Sequence, residues 1–187
     1  ANTLWTMRSE DSFEFGVHRK LDHLPTVDYI QNIPIAPGDY SGTHYHLNFN
    51  SYRSRRVAGG LTLRWGDELD GDTRSIGLSS AIKITNSLFM DLGYTREHLE
   101  LFQGTFDANI LMGRWTYSFS TDLFAKCYVQ WNDADNRVRT NFVLDYIYKP
   151  KSHIYLVFNE NRYTYADAIH DVQDRMLVLK FTYLYSL

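Results

Sequence analysis

The sequence predicts an all-β chain, an antiparallel up-and-down barrel whose strands cross a membrane. Three observations carry that prediction. About ten stretches alternate apolar and polar residues with the period of two that puts successive side chains on opposite faces of a strand. The connections between them read as alternately long and short, as in a chain stitching through a bilayer with loops on one side and tight turns on the other. Aromatic residues (14 Tyr, 11 Phe and 4 Trp) make up 16% of the 187 residues, which favours strands and matches the interfacial girdles of membrane barrels.

In chain order the strands fall at 11–20, 43–51, 54–66, 74–85, 87–98, 104–119, 121–132, 136–149, 152–163 and 173–187. The third sets Val57, Leu61, Leu63 and Trp65 against Arg56, Thr62 and Arg64. The fourth sets Ile76, Leu78, Ile82 and Ile84 against Ser75, Ser79 and Lys83. In the sixth, Phe106, Ala108, Ile110 and Met112 hold one phase and Trp115, Tyr117 and Phe119 the other, so a bulge is expected near Gly113. The seventh alternates most regularly, with Leu123, Ala125, Cys127, Val129 and Trp131 opposite Asp122, Lys126, Tyr128, Gln130 and Asn132. The eighth places Val138, Phe142, Leu144, Tyr146 and Tyr148 opposite Arg137, Arg139, Asn141 and Asp145, and the last puts Leu177, Leu179, Phe181, Tyr183, Tyr185 and Leu187 on one face.

Short connections are expected at Ser51–Arg53, Thr85–Asn86, Ser120–Thr121 and Lys149–Lys151, and long ones at 21–42, 67–73, 99–103, 133–136 and 164–172. Strict alternation gathers all the short turns at one end, the periplasmic end of outer-membrane barrels, and an even strand count places both termini there. Pro25, Pro34, Pro37 and Pro150 all fall in connections, where no ladder hydrogen bond is lost. Strands of about twelve residues, tilted as in a barrel, span the ~25 Å apolar band of a bilayer.

Composition narrows the class further. A net charge of -3 and a pI near 6.2 offer no basic field for nucleic acid. No apolar run reaches the roughly 18 residues of a transmembrane helix. A mean hydropathy of -0.38 is compatible with a membrane barrel, which shows lipid only every second residue. The single Cys127 excludes an internal disulfide framework. The opening Ala-Asn-Thr-Leu lacks a signal-peptide pattern, so a secretory signal has been removed or the sequence is a fragment. The competing fold is a soluble lipocalin-like barrel that turns the apolar face inward around a small apolar ligand. Long strands, the asymmetry of the connections, and Trp65, Tyr94, Trp131 and Tyr148 near the ends of apolar faces favour the membrane.

The polar face is expected to line a narrow interior and to carry Glu14, His44, His46, Asn48, Arg56, Arg64, Lys83, Asp91, Asp122, Lys126, Asp145, Asn159 and Lys180. Both signs are represented, so these groups read as a paired polar plug, or as the lining of an aqueous lumen if the barrel is wider. Lys126 and Asp145 stand at similar heights on neighbouring strands and form a candidate pair; Lys180 faces Glu14 if the last strand closes on the first. His44 and His46, two apart on one strand, could share a metal, but no third ligand is legible. The loop Gly66–Asp72 packs Asp67, Glu68, Asp70 and Asp72 beside glycines, a candidate Ca²⁺ or Mg²⁺ site without the spacing of an EF-hand. With Asp133, Asp135, Asp167, Asp171 and Asp174 it makes the outer loops acidic, so divalent cations could bridge them to lipopolysaccharide. His18, His98, His153 and His170 are candidates in principle for the catalytic base of a membrane-embedded hydrolase. No Gly-x-Ser-x-Gly or His-Glu-x-x-His motif accompanies them, and the chain reads as a non-enzyme.

Several segments resemble a known family. They are Trp115–Phe124, Val129–Asn132, Arg139–Tyr148 followed by Lys149–Glu160, and Asp174–Phe181, with Ile35–Tyr40 and Leu69–Gly71 earlier. This pattern is similar to the outer-membrane barrel that follows a carbohydrate-binding-like (family-9) β-sandwich in large Gram-negative envelope proteins, the domain-of-unknown-function family 5916. The resemblance covers most of this chain but only the C-terminal part of a typical member. It implies an outer-membrane barrel with no catalytic residues, and either further strands upstream or a shortened protein. The functional expectation is a non-catalytic outer-membrane component: a transport element, an anchor, or a subunit that meets lipid, lipopolysaccharide and other envelope proteins.

Overall fold

The computed structural model describes residues 1–165 and 172–185. Among them every regular element is a β-strand: β1 (Asn2–Thr6), β2 (Ser12–Leu24), β3 (Asp28–Ile30), β4 (Ile33–Ile35), β5 (Gly38–Asn50), β6 (Val57–Glu68), β7 (Gly71–Lys83), β8 (Leu88–Leu101), β9 (Gly104–Ser118), β10 (Leu123–Asn132), β11 (Arg137–Lys149), β12 (Ser152–Tyr163) and β13 (Val172–Thr182). Eleven strands follow one another in an up-and-down sheet in the order β1-β2-β5-β6-β7-β8-β9-β10-β11-β12-β13, while β3 and β4 form a hairpin of their own. The all-β antiparallel class is as the alternation predicts.

Each of the ten expected strands is present, and β1 precedes them. Its five residues alternate too briefly to be read as a strand, yet they pair with β2 from Asn2↔Gly16 to Thr6↔Ser12. The terminal amine donates to the Val17 carbonyl at 2.6 Å, partway along β2. Thr182, by contrast, pairs with His153 beside the Lys149–Lys151 turn. An odd strand count thus replaces the even one, and the first residue does not lie at the short-turn end.

The alternation of connection lengths is also corrected. Only Leu69 and Asp70 separate β6 from β7, and only Phe102 and Gln103 separate β8 from β9, where long loops at 67–73 and 99–103 were expected. The Gly/Asp-rich composition of 67–73 reads as loop, but β6 extends to Glu68 and β7 begins at Gly71. Leu69 adopts φ 56° at the first position of its tight turn, and its side chain packs on a buried apolar cluster. The expected bulge near Gly113 is absent from the β9–β10 ladder, which runs unbroken from Asn132↔Ile110 through Val129↔Gly113 to Phe124↔Ser118. The apolar phase changes because Phe106, on the face opposite Trp115, packs against buried Leu99 and Leu101, while the Trp115 ring lies over Gly113, where a Cβ would come within 2.4 Å of it. The long 164–172 connection and the last two residues of the final strand fall largely outside the described residues.

The chain divides into two compact units, residues 1–80 with 94–109, and residues 81–93 with 110–187. In the first, one sheet face carries Phe13, Phe15 and Val17 of β2 with Tyr45, Leu47 and Phe49 of β5 and Leu61, Leu63 and Trp65 of β6. The opposite face is polar along most of its length. It turns apolar near Leu24, Tyr40 and Phe106, which pack with Ile30 and Ile33 around buried Ile35, Leu99 and Leu101. The β3–β4 hairpin therefore folds against the sheet instead of standing free, because its isoleucines have an apolar seat there. In the second unit Phe142 and Leu144 of β11, Ile154, Leu156 and Phe158 of β12, and Leu177, Leu179 and Phe181 of β13 share one face.

Candidate functional site

Polar chemistry is densest on the face built by β2, β5 and β6. Antiparallel pairing sets Glu14 opposite Asn48, Gly16 opposite His46 and His18 opposite His44; on the other side His46 meets Arg64 and His44 meets Gly66. Alternation then puts all these residues on one side of the sheet. Glycine makes the crowding feasible. A Cβ on Gly16 would come within 2.1 Å of the His46 ring, and one on Gly66 within 2.1 Å of the Thr43 carbonyl. Gly66 also holds φ 148°, which disfavours any other residue.

The three histidine rings form one group. His18 stacks on His44 with centroids 5.5 Å apart and planes 7° apart, and it lies 5.8 Å from His46 at a tilt of 47°. Two carboxylates flank them. His46 Nε2 is 3.5 Å from Glu14 Oε1, while Asn48 donates to Glu14 Oε2 at 3.2 Å and Asn2 to Oε1 at 3.4 Å. His44 Nε2 is 3.5 Å from Glu68 Oε2, and Lys20 donates to Glu68 Oε1 at 2.5 Å and approaches Asp22 at 3.0 Å. The His44 contact is close enough for charge attraction but misaligned for a hydrogen bond, so this buried nitrogen has no hydrogen-bond partner. With Tyr45 and Arg64 the group lines a hollow of about 330 Å³.

A second polar group lies in the other unit. Asp145 Oδ1 is 2.7 Å from His153 Nδ1, and His153 stacks on Tyr155 at 5.3 Å with planes 3° apart. Lys180 reaches over the Tyr155 ring at 6.0 Å, and Asn141 donates to Asn159. The expected Lys126–Asp145 pair is not made. Lys126 stands opposite Val143 and Asp145 opposite Phe124, and the Lys126 ammonium lies over the Phe124 ring at 5.4 Å. Near the far end of β12, Glu160 accepts from Arg162 at 2.7 Å and from Arg175.

Other expected site residues are dispersed. Arg56 and Asp122 lie exposed in the turns before β6 and β10, off the strand ladders, while Lys83 and Asp91 are half-buried on β7 and β8. The four acidic residues of the proposed cation loop do not converge, because a paired strand sends neighbours to opposite faces. Asp67 accepts from the Thr43 amide at 2.9 Å, whereas Glu68 turns to Lys20 and His44. Among the described residues no three His, Cys, Asp or Glu side chains stand as a preformed metal-holding group. His98 pairs with Asp107 at 2.9 Å with no hydroxyl or thiol nucleophile in the contact; His170, Asp167 and Asp171 lie outside the described residues. His18, Glu68 and His153 were missed as members of the polar groups. Their parity along the strands was readable, but their partners depend on register.

No protein-family model matches the chain, and no curated protein matches it. Among solved structures, a KdgM porin in complex with disordered oligogalacturonate is similar over 96% of this chain and 92% of that one, with a TM-score of 0.39 and 11% identity. At that score the likeness decides nothing about fold or function. The class defined by the structure is an antiparallel up-and-down β-meander.

Proposed function

We propose that the chain is an integral outer-membrane β-barrel with a non-catalytic role, its apolar face against lipid and its charged face lining the interior. The observation that carries this is an inversion of burial. The side chains of His44 and His46 are 15% exposed and that of Asp145 is 8% exposed, whereas Leu78 and Leu111, on strands paired on both sides, are each 48% exposed. A water-soluble barrel would do the reverse, sheltering its leucines and presenting its charges. Lipid removes the cost of bare apolar side chains.

The pairing of interior charges supports a largely filled interior over an open channel, since Glu14, Glu68 and Asp145 each already have a cationic or hydrogen-bonding partner. That favours an anchor or a restricted passage within the envelope, with outer-membrane lipid and lipopolysaccharide as surroundings. Washing membranes with carbonate or urea tests the reading. The protein is expected to stay with the membrane until detergent is added, and to migrate faster on gels unheated than boiled; release without detergent would overturn the proposal.

A further inference from the structure

We propose that His18, His44 and His46 form a binding site for a borderline transition-metal ion of the Zn²⁺, Ni²⁺ or Cu²⁺ class. Sequence supplies two histidines of one strand, His44 and His46, at a spacing of two. The fold supplies the third, because β2–β5 pairing sets His18 directly opposite His44. Two imidazoles at i and i+2 with a third across the ladder can reach one ion, since opposed Cβ atoms lie about 5 Å apart and all three side chains leave the same face.

The surroundings suit such an ion. Gly16, opposite His46, leaves room for that ring where any side chain would collide with it. The present rings stack instead of aiming nitrogens at one point, so binding requires side-chain rotation with no change of register. His44 Nε2 is buried without a hydrogen-bond partner, a deficit that a bound ion or a rotated ring would remove. Glu14 and Glu68 stand beside His46 and His44, where a carboxylate can take the second ring N–H and fix the ligand's orientation. They also offset the ion's charge against Lys20 and Arg64 on the same face. A set of three imidazoles favours transition metals over Ca²⁺ or Mg²⁺, which take oxygen ligands.

The experiment is calorimetric titration of the tag-free, detergent-solubilised protein with Zn²⁺, and with Cu²⁺ followed by electron paramagnetic resonance. One ion per chain is expected, with several nitrogens in the Cu²⁺ spectrum. His18→Ala, His44→Ala and His46→Ala should each weaken Zn²⁺ binding at least tenfold, while His23→Ala and His98→Ala should leave it unchanged. Heat-modifiable migration shared with the parent would show that each variant is folded; if an alanine variant fails, the glutamine variant replaces it. Absence of stoichiometric binding, or binding that survives loss of His18, would overturn the proposal. Neither outcome bears on membrane integration, which extraction tests separately.

Discussion

Asp145 of β11 and His153 of β12 are joined through Oδ1 and Nδ1 at 2.7 Å, across one of the most buried charged positions among the described residues. Stacking of His153 on Tyr155 holds the ring in place for that contact. His153→Phe keeps an aromatic ring on Tyr155 but leaves the carboxylate without its donor. It should cost about 2 kcal/mol, the range for a covered charged acceptor stripped of its partner. Asp145→Asn should cost less, since the amide oxygen still accepts. Lys126→Ala, at the residue expected to pair with Asp145, should change stability by less than about 0.5 kcal/mol. Urea unfolding in lipid vesicles measures all three; an equal cost at Lys126 would refute the assignment.

The exposed turn before β2 makes a pH prediction. Arg55 hydrogen-bonds Asp11 through both carboxylate oxygens, and the Tyr52 amide and Ser9 hydroxyl add to it. The Arg55 contact, then the Tyr52 amide and Ser9, hold the Asp11 carboxyl down from 3.8 to about 2. A lowered folded-state value means that this contribution is complete above pH 3.8 and disappears as pH falls through about 2. Asp11→Asn should therefore remove part of the stability difference between pH 5 and pH 2, read from thermal melts across that window. An unchanged acid profile would show the pairing to be energetically silent.

Neighbouring residues on β13 should differ in their tolerance of polar side chains. Leu179 shares the apolar face with Leu156, while Val178 shares the other face with Val157. Leu179→Arg should destabilise the protein by about 2–4 kcal/mol in vesicles, as for a charge placed at the lipid midplane. Val178→Thr, on the opposite face, should cost less. The reverse ranking would support the soluble-barrel alternative.

Ile35 is 1% exposed and anchors the β3–β4 hairpin against Leu99 and Leu101. Ile35→Ala removes about 2–5 kcal/mol of burial and cavity energy, concentrated in one peripheral element. Local opening is therefore expected before global unfolding. Limited proteolysis should cut the variant within 25–37 faster than the parent, with little change in the rest of the digestion pattern.

What the sequence determined by itself is the two-faced alternation, since side-chain parity is a property of every extended strand regardless of its partners. From it came the ten strand positions, the apolar faces of β10, β11 and β13, and the polar placement of Glu14, His44, His46 and Asp145. Tertiary structure decided what register controls. It chose His153 over Lys126 for Asp145, because a short diagonal offset on neighbouring strands changes which side chains touch. It added β1, too short for its alternation to be recognised, and closed two supposed loops into two-residue turns, in one of which Leu69 joins a core. It also brought His18 to His44 across a connection of thirteen residues, Pro25 to Pro37, whose hairpin does not set the register in a way a sequence can reveal.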